Sequence, residues 1–251
     1  MKLQKITSEK TVLERRWYDD ACGTALALEL VGERWSLLIV RELMFGGRRF
    51  SELRSGLPGV SANILARRLE GLERVGVIQR RKLPPPASVQ IYELTPWGYE
   101  AEIVLQELGR WATRSPLHDP SLPLSAASIM MSFRTMYSRE RAKGEAATIG
   151  FRFGADAFVV DFGPDGIRTR RGEPEGCALV VSTNPISLAS VVYGGRPVLD
   201  AEASGELTLA GDRTLFDRFV GWFPLPEKIA GGKPTCLNEA IPAARNTAAD
   251  E

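Results

Sequence analysis

A length of 251 residues exceeds one average domain of roughly 100–200 residues and falls short of three, so the chain predicts two domains. With 44% hydrophobic and 25% charged residues, the composition is that of an ordinary soluble globular protein. A net charge of +1 excludes a polycation overall, but residues 1–115 hold 18 Lys/Arg against 14 Asp/Glu, while residues 116–251 hold 14 against 17. Between Arg41 and Lys82 ten basic residues face four acidic ones, a local patch of the kind that meets a polyanion.

The opening "MKLQKITSEKTVLERRWYDD" has charges with no apolar run behind them, so no signal peptide is expected. No stretch approaches the roughly 18–20 apolar residues of a membrane span, and membrane insertion is not expected. Cys22, Cys177 and Cys236 are odd in number and far apart, neither a disulfide framework nor a metal knuckle. A reducing cytoplasm fits them best.

Trp35, Leu38, Ile39 and Leu43 share one helical stripe that ends at Gly46-Gly47. Phe50, Leu53 and Leu57 face inward in a short following segment stopped by Pro58-Gly59. Ser61 then caps a helix whose inward stripe is Leu65, Leu69 and Leu72, with Gly76 as its stop. "VIQRRKL" and "VQIYEL" read as two strands around the proline-stiffened "PPPAS". Thr95 opens a last helix with Trp97, Ala101, Val104, Leu105, Leu108 and Trp111 on one side. Helix, helix–turn–helix and two-stranded wing make a winged helix.

That layout assigns the basic residues. The second helix of a helix–turn–helix enters the major groove by its N-terminal part. Ala62, Asn63, Ala66 and Arg67 are the candidates for base edges, since Asn suits adenine, Arg suits guanine and Ala suits the thymine methyl. Ser61 and the helix N-terminus suit a phosphate. Arg48, Arg49, Arg54, Arg80, Arg81 and Lys82 are candidate backbone contacts. Trp97, Val104, Leu108 and Trp111 offer more apolar surface than one domain can cover, which predicts a dimer interface.

"CGTALALELVGERW", "RRFSELR", "GVS", "LARRLEGLE", "GVI" and "YELTPWG", in this order over about residues 20–113, resemble the HxlR-type winged-helix transcriptional regulators, relatives of the MarR superfamily. The resemblance implies a homodimer formed through the terminal helices and a roughly palindromic double-stranded DNA operator. It also implies that Cys22, matching a cysteine through which some members sense oxidants or electrophiles, is a candidate redox sensor. One departure is the wing: "PPPASVQIY" has Ala87-Ser88 where many relatives carry a basic residue.

"SPLHDPSLPLS" carries three prolines in eleven residues and separates the helical half from one of short alternating strands. "TIGFRF", "AFVVDF", "IRTRRG" and "CALVVST" read as strands, Asn184-Pro185 opens a helix, and "GELTLAGD" leads into the apolar helix "RTLFDRFVGWF". This order resembles the sterol-carrier-protein (SCP2-like) fold over about residues 128–225. The resemblance implies an apolar pocket, with Leu188, Val191, Val192, Leu215, Phe216, Phe219, Trp222 and Phe223 either lining it for an apolar small-molecule effector or simply filling the core. The expected class is therefore α+β. A winged helix-turn-helix DNA-binding and dimerisation domain occupies 1–115, a proline-rich linker 116–127, an SCP2-like domain 128–235, and a frayed tail 236–251.

The sole histidine, His118, sits in the linker with no partner cluster, and no P-loop, dinucleotide fingerprint, nucleophile elbow or metal spacing appears. No enzyme, no cofactor and no metal site is expected. The reading is a transcriptional regulator; the rivals are a hydrophobic-ligand carrier with the winged helix as dimerisation scaffold, and an architectural DNA binder.

Overall fold

The computed structural model describes residues 18–230. Cys236 and the expected tail lie outside the described residues.

Four helices come first: α1 (Gly23–Val31), α2 (Ser36–Leu43), α3 (Phe50–Gly56) and α4 (Ala62–Arg74). In α2 the spacing of Ile39, Val40 and Leu43 puts all three out of contact with water. The stripe is narrower than the sequence suggested. Trp35 precedes the helix in a left-handed conformation, and Leu38 stays partly exposed. In α4, Ser61 Oγ accepts from the Ile64 N–H at 3.3 Å, and Leu65, Leu69 and Leu72 are buried. Gly76, at φ 76°, lets the chain turn out of the helix into the wing.

The wing pairs β1 (Ile78–Lys82) with β2 (Gln90–Leu94), antiparallel, from Ile78 opposite Leu94 to Lys82 opposite Gln90. The single helix expected after Thr95 is two: α5 (Pro96–Glu100) and α6 (Glu102–Thr113). The first turn is pinned to the wing, because Thr95 Oγ1 accepts from the Gly98 N–H and donates to the Gly76 carbonyl. Gly98 approaches so closely that a Cβ would stand 2.1 Å from the Val77 carbonyl oxygen. The rest of the helix turns away to pack on the next element.

That element is α7 (Ala126–Met136), capped by Ser125, so the segment read as linker already contains its first two residues. The short helix α8 (Arg139–Ala142) follows, then the meander β3 (Ala147–Phe153), β4 (Asp156–Gly163) and β5 (Gly166–Arg171). The chain crosses to β6 (Leu179–Thr183), runs through α9 (Pro185–Val192) and α10 (Val198–Ala203), and ends with β7 (Leu207–Gly211) and α11 (Arg213–Val220). The sheet order is β5-β4-β3-β6-β7, antiparallel except for the β3–β6 pair.

The two halves share one apolar core. Phe45 meets Phe158 edge-on at 5.7 Å, and the Arg134 guanidinium lies 4.9 Å from the Phe45 ring while pairing with Glu102 at 2.7 Å. At the border Asp156 receives two guanidiniums: Arg48 Nη1 at 2.7 Å and Arg171 Nη1 at 2.5 Å. Arg48, expected as a backbone contact, is turned toward the second half instead: its side chain is 13% exposed and its Nη1 is bound to Asp156. Burial first, then the Arg48 charge, pulls the Arg171 guanidinium below its ordinary value, with Asp156 opposing both.

Asp156 thus compensates two guanidiniums, and removing it leaves both largely buried without their carboxylate. Asp156→Ala should lower the unfolding free energy by roughly 1–3 kcal/mol in urea titrations, less than a fully buried pair because the partners keep some water contact. Arg49→Ala, on the exposed surface, should change it by less than about 0.5 kcal/mol. Equal small effects would show that the border does not depend on this ion pair.

Candidate nucleic-acid interface

With the leucine stripe of α4 turned inward, Asn63, Arg67, Glu70 and Arg74 are exposed and Ala62 and Ala66 half-exposed. The helix begins at an exposed Ser61 whose hydroxyl serves the Ile64 N–H, so the first-turn amides of Ala62 and Asn63 stand at an open helix end. The structure brings Ser61, Ala62, Asn63, Ala66 and Arg67 together on that end.

The remaining cations differ in what holds them. Arg54, at the end of α3, Arg67 and Arg74 of α4, and Lys82 of the wing are exposed and enter no ion pair among the described residues. The Arg49 side chain is also exposed, while its backbone N–H donates to Glu52 Oε2 at 2.7 Å. Arg80 Nε donates to Glu73 Oε2 at 2.6 Å, and Arg81 binds Glu93 with Nη2 at 2.8 Å. The hydrogen bond from Arg81 holds the Glu93 carboxyl below its ordinary range. These wing pairs are solvent-exposed on the arginine side and individually weak, so a phosphate can compete for either arginine. Arg68, whose sequence position resembles that of Arg67, is spent on Glu33 at 2.7 Å.

On α6, Val104, Leu108 and Trp111 follow the spacing of one helix face and are exposed, Trp111 by 72%, while Leu105 turns in against the core. Trp97 is exposed on α5, across the break. The sequence reading missed Ile103 of α6 and Leu26 and Leu28 of α1, all exposed. A usable signal existed: "GTALALELV" is apolar nearly all round, too apolar for a helix of which only Ala25 is buried.

The candidate pocket residues behave differently. Leu188, Val191, Val192, Leu215, Phe216, Phe219, Trp222 and Phe223 are all buried. Phe219 alone has ring neighbours at 4.9 Å (Phe223), 5.3 Å (Phe133), 5.6 Å (Phe151) and 5.7 Å (Phe216). Rings at those separations fill the space between sheet and helices with one another. Of the two readings, pocket lining and core, their burial in one apolar cluster favours core.

Cys22 is the exposed N-cap of α1, and hydrogen bonds from Thr24, then Ala25, hold its thiol below the ordinary range. Burial pushes the Cys177 thiol up. His118 is exposed in the linker, its Nδ1 3.4 Å from Lys228 Nζ. Among the described residues no helix is long and apolar enough to cross a membrane.

A family model described as HxlR-like helix-turn-helix matches residues 30–118. Over 88 residues the chain is 39% identical to the uncharacterized HTH-type transcriptional regulator YvaP of Bacillus subtilis (strain 168), which covers 35% of this chain and 81% of that protein. It is 40% identical over 86 residues to the HTH-type transcriptional regulator YodB of the same organism, covering 34% of this chain and 77% of YodB. Among solved structures, the reduced form of YodB from B. subtilis is 35% identical, with a TM-score of 0.36, over 40% of this chain and all of that one.

The two described thiols should separate by pH. In a Cys236→Ser background, alkylation of Cys22 by iodoacetamide should rise at a pH below the ordinary thiol value of about 8.5, because a lowered pKa gives more thiolate at each pH. Cys177 should rise above it, since burial opposes its thiolate. Mass spectrometry of the modified peptides checks the order, and coincident profiles would remove the case for a special Cys22.

Proposed function

The chain belongs to the HxlR-like helix-turn-helix family, and we propose that this DNA-binding transcriptional regulator reads a roughly palindromic operator as a homodimer. The observation that carries the reading is the exposed N-terminal face of α4. There Asn63 and Arg67, which enters no ion pair among the described residues, stand beside half-exposed alanines at an open helix end, with Arg54, Arg81 and Lys82 on neighbouring elements for phosphates. A hydrophobic-ligand carrier needs no such face, and the rings around Phe219 pack on one another as core. The order of helix, three-strand meander, parallel crossover, helices, strand and helix in the second half supports its SCP2-like reading, with an effector-responsive role. Cys22, an exposed thiol held toward thiolate at a helix start, is the group through which an electrophile could act.

Operator fragments selected from genomic DNA by the full chain provide the test. Arg67→Ala should cost about 1–3 kcal/mol on the selected site and relax one position of it. Arg54→Ala and Lys82→Ala should weaken selected and random DNA alike and reduce the salt slope by about one unit each. Equal losses for all three variants on both DNAs would replace base reading with architectural binding.

Assembly has its own check. Burying Val104, Leu108 and Trp111 against a second copy would set two α4 helices about 34 Å apart, so the selected sites should be inverted half-sites one helical turn apart. Leu108→Asp combined with Trp111→Ser should give a folded monomer by light scattering and a large loss of operator affinity. A double variant that stays dimeric would move the interface elsewhere.

A further inference from the structure

The loop between α2 and α3, residues 44–49, touches the wing on one side and the second half on the other. Toward the second half, Phe45 meets Phe158 edge-on at 5.7 Å. Arg48 donates there from Nη1 to Asp156 Oδ1 at 2.7 Å and from Nη2 to Oδ2 at 3.4 Å. Toward the wing, the Arg48 backbone forms an isolated bridge with Tyr92 of β2. Its N–H donates to the Tyr92 carbonyl and its carbonyl accepts from the Tyr92 N–H, both at 2.8 Å. Gly47 permits the approach, since a Cβ there would stand 2.6 Å from Ile91 Cδ1. Arg48 is thus bound through its main chain to the wing and through its side chain to the five-stranded sheet.

The sheet end of this link is firm. Asp156 opens β4 and also receives Arg171 from the end of β5, whose guanidinium lies 4.5 Å from the Phe158 ring. At the other end, Tyr92 stands opposite Arg80 in the wing ladder, followed by Ile91 opposite Arg81 and Gln90 opposite Lys82. The base of the wing is fixed where Ile78 faces Leu94 and Thr95 binds the Gly76 carbonyl. The Arg48 bridge grips it two residues farther out, toward the exposed end that carries Arg81 and Lys82. On the other strand, the Arg80–Glu73 pair is exposed on the arginine side and weak. A two-stranded ribbon is marginally ordered by itself and strongly twisted, so a hold beyond its base decides where its cations stand.

We propose that Asp156 is a positioning residue for DNA binding: through Arg48 it holds β2, and with it the wing cations Arg81 and Lys82, in register with α4. This rests on the DNA-binding reading above, and it gives the second half a part in that binding through Arg48 rather than through contact with DNA. The direction of the effect separates the role from plain electrostatics. Removing a carboxylate makes a protein's field more positive and ordinarily strengthens its hold on DNA. Loss of a positioning carboxylate does the reverse.

Asp156→Asn in the full chain keeps the side-chain size and removes the charge. Measured on selected and random DNA across a salt series, it should weaken both by roughly 3–30-fold and lower the salt slope by about one unit. Adding Lys82→Ala to it should then cost little more. Adding Arg67→Ala should cost as much on the selected site as it does in the unsubstituted chain, because α4 keeps its place. Hydrogen exchange read by mass spectrometry should quicken in the peptide containing Tyr92 and stay unchanged in α4. If Asp156→Asn does not fold, Arg48→Met decides the matter, since it retains the Arg171–Asp156 pair and the main-chain bridge. Lys82→Ala should again add little to it, whereas an Arg48 that itself met a phosphate would leave the two losses additive. Tighter or unchanged DNA binding, unchanged exchange around Tyr92, or full additivity with Lys82→Ala would overturn the positioning role. Selection of no DNA by the unsubstituted chain would strike the DNA-binding reading and this role with it, a failure distinct from additivity in a chain that binds.

Discussion

Much of this structure follows from the burial of α7, a helix whose residues are packed on nearly every side, with the winged helix against one flank and the five-stranded sheet against another. Nine of its eleven residues are buried, so no arrangement in which the halves separate could leave it in water without a large apolar penalty. The inner residues of α6 pack on it, and so does α2, which ties the helix–turn–helix to the sheet through a shared neighbour. Phe133 at its centre meets Phe151, Phe219 and Phe223, joining the sheet and α11 to the same core. The proline-rich connection before it is then a detail of the path rather than a flexible tether between independent parts.

Burying so much apolar surface forces the polar groups at the border to find partners there. Arg41, Glu42, Ser125, Arg48, Asp156 and Arg171 form that border: Glu42 accepts from Arg41 and Ser125, and Asp156 from Arg48 and Arg171. Such pairs contribute less to stability than packed hydrophobes, but they fix register, because a slipped border would strand charges away from water. The incompletely satisfied positions at this border are Arg48 Nε and, on Arg171, Nε and Nη2, all buried without a partner among the described residues.

The arginines show how tertiary context sorts residues that a sequence presents as equivalent. Arg48 and Arg49 are adjacent, yet one is held by an aspartate more than a hundred positions away and the other is open to solvent. Arg67 and Arg68 are adjacent on α4, and the helical rotation between them gives one to the outer face and the other to Glu33. A basic patch in a composition count is therefore larger than the patch a polyanion meets.

Local physics was legible in the sequence. The leucine stripe of α4 with its serine cap, the two wing strands, the alternating strands of the second half and the Asn184-Pro185 helix start are all dictated by periodicity and capping within a few residues. From these came the winged helix and the exposed face of Asn63 and Arg67. Helix α7 was not legible, because a helix buried all round has no polar side and so no stripe to read. Nor was the break at Ala101, which depends on Gly98 meeting the Val77 carbonyl, or the packing of the aromatic side chains that resembled a pocket lining. Whether an apolar residue fills a core or lines a cavity, and whether an arginine is free or paired, is set by neighbours distant in sequence. The sequence by itself determined which segments become helices and strands, because those hydrogen bonds and caps are local. Only the tertiary structure decided which charges and rings remain available, because their partners come from the other half of the chain.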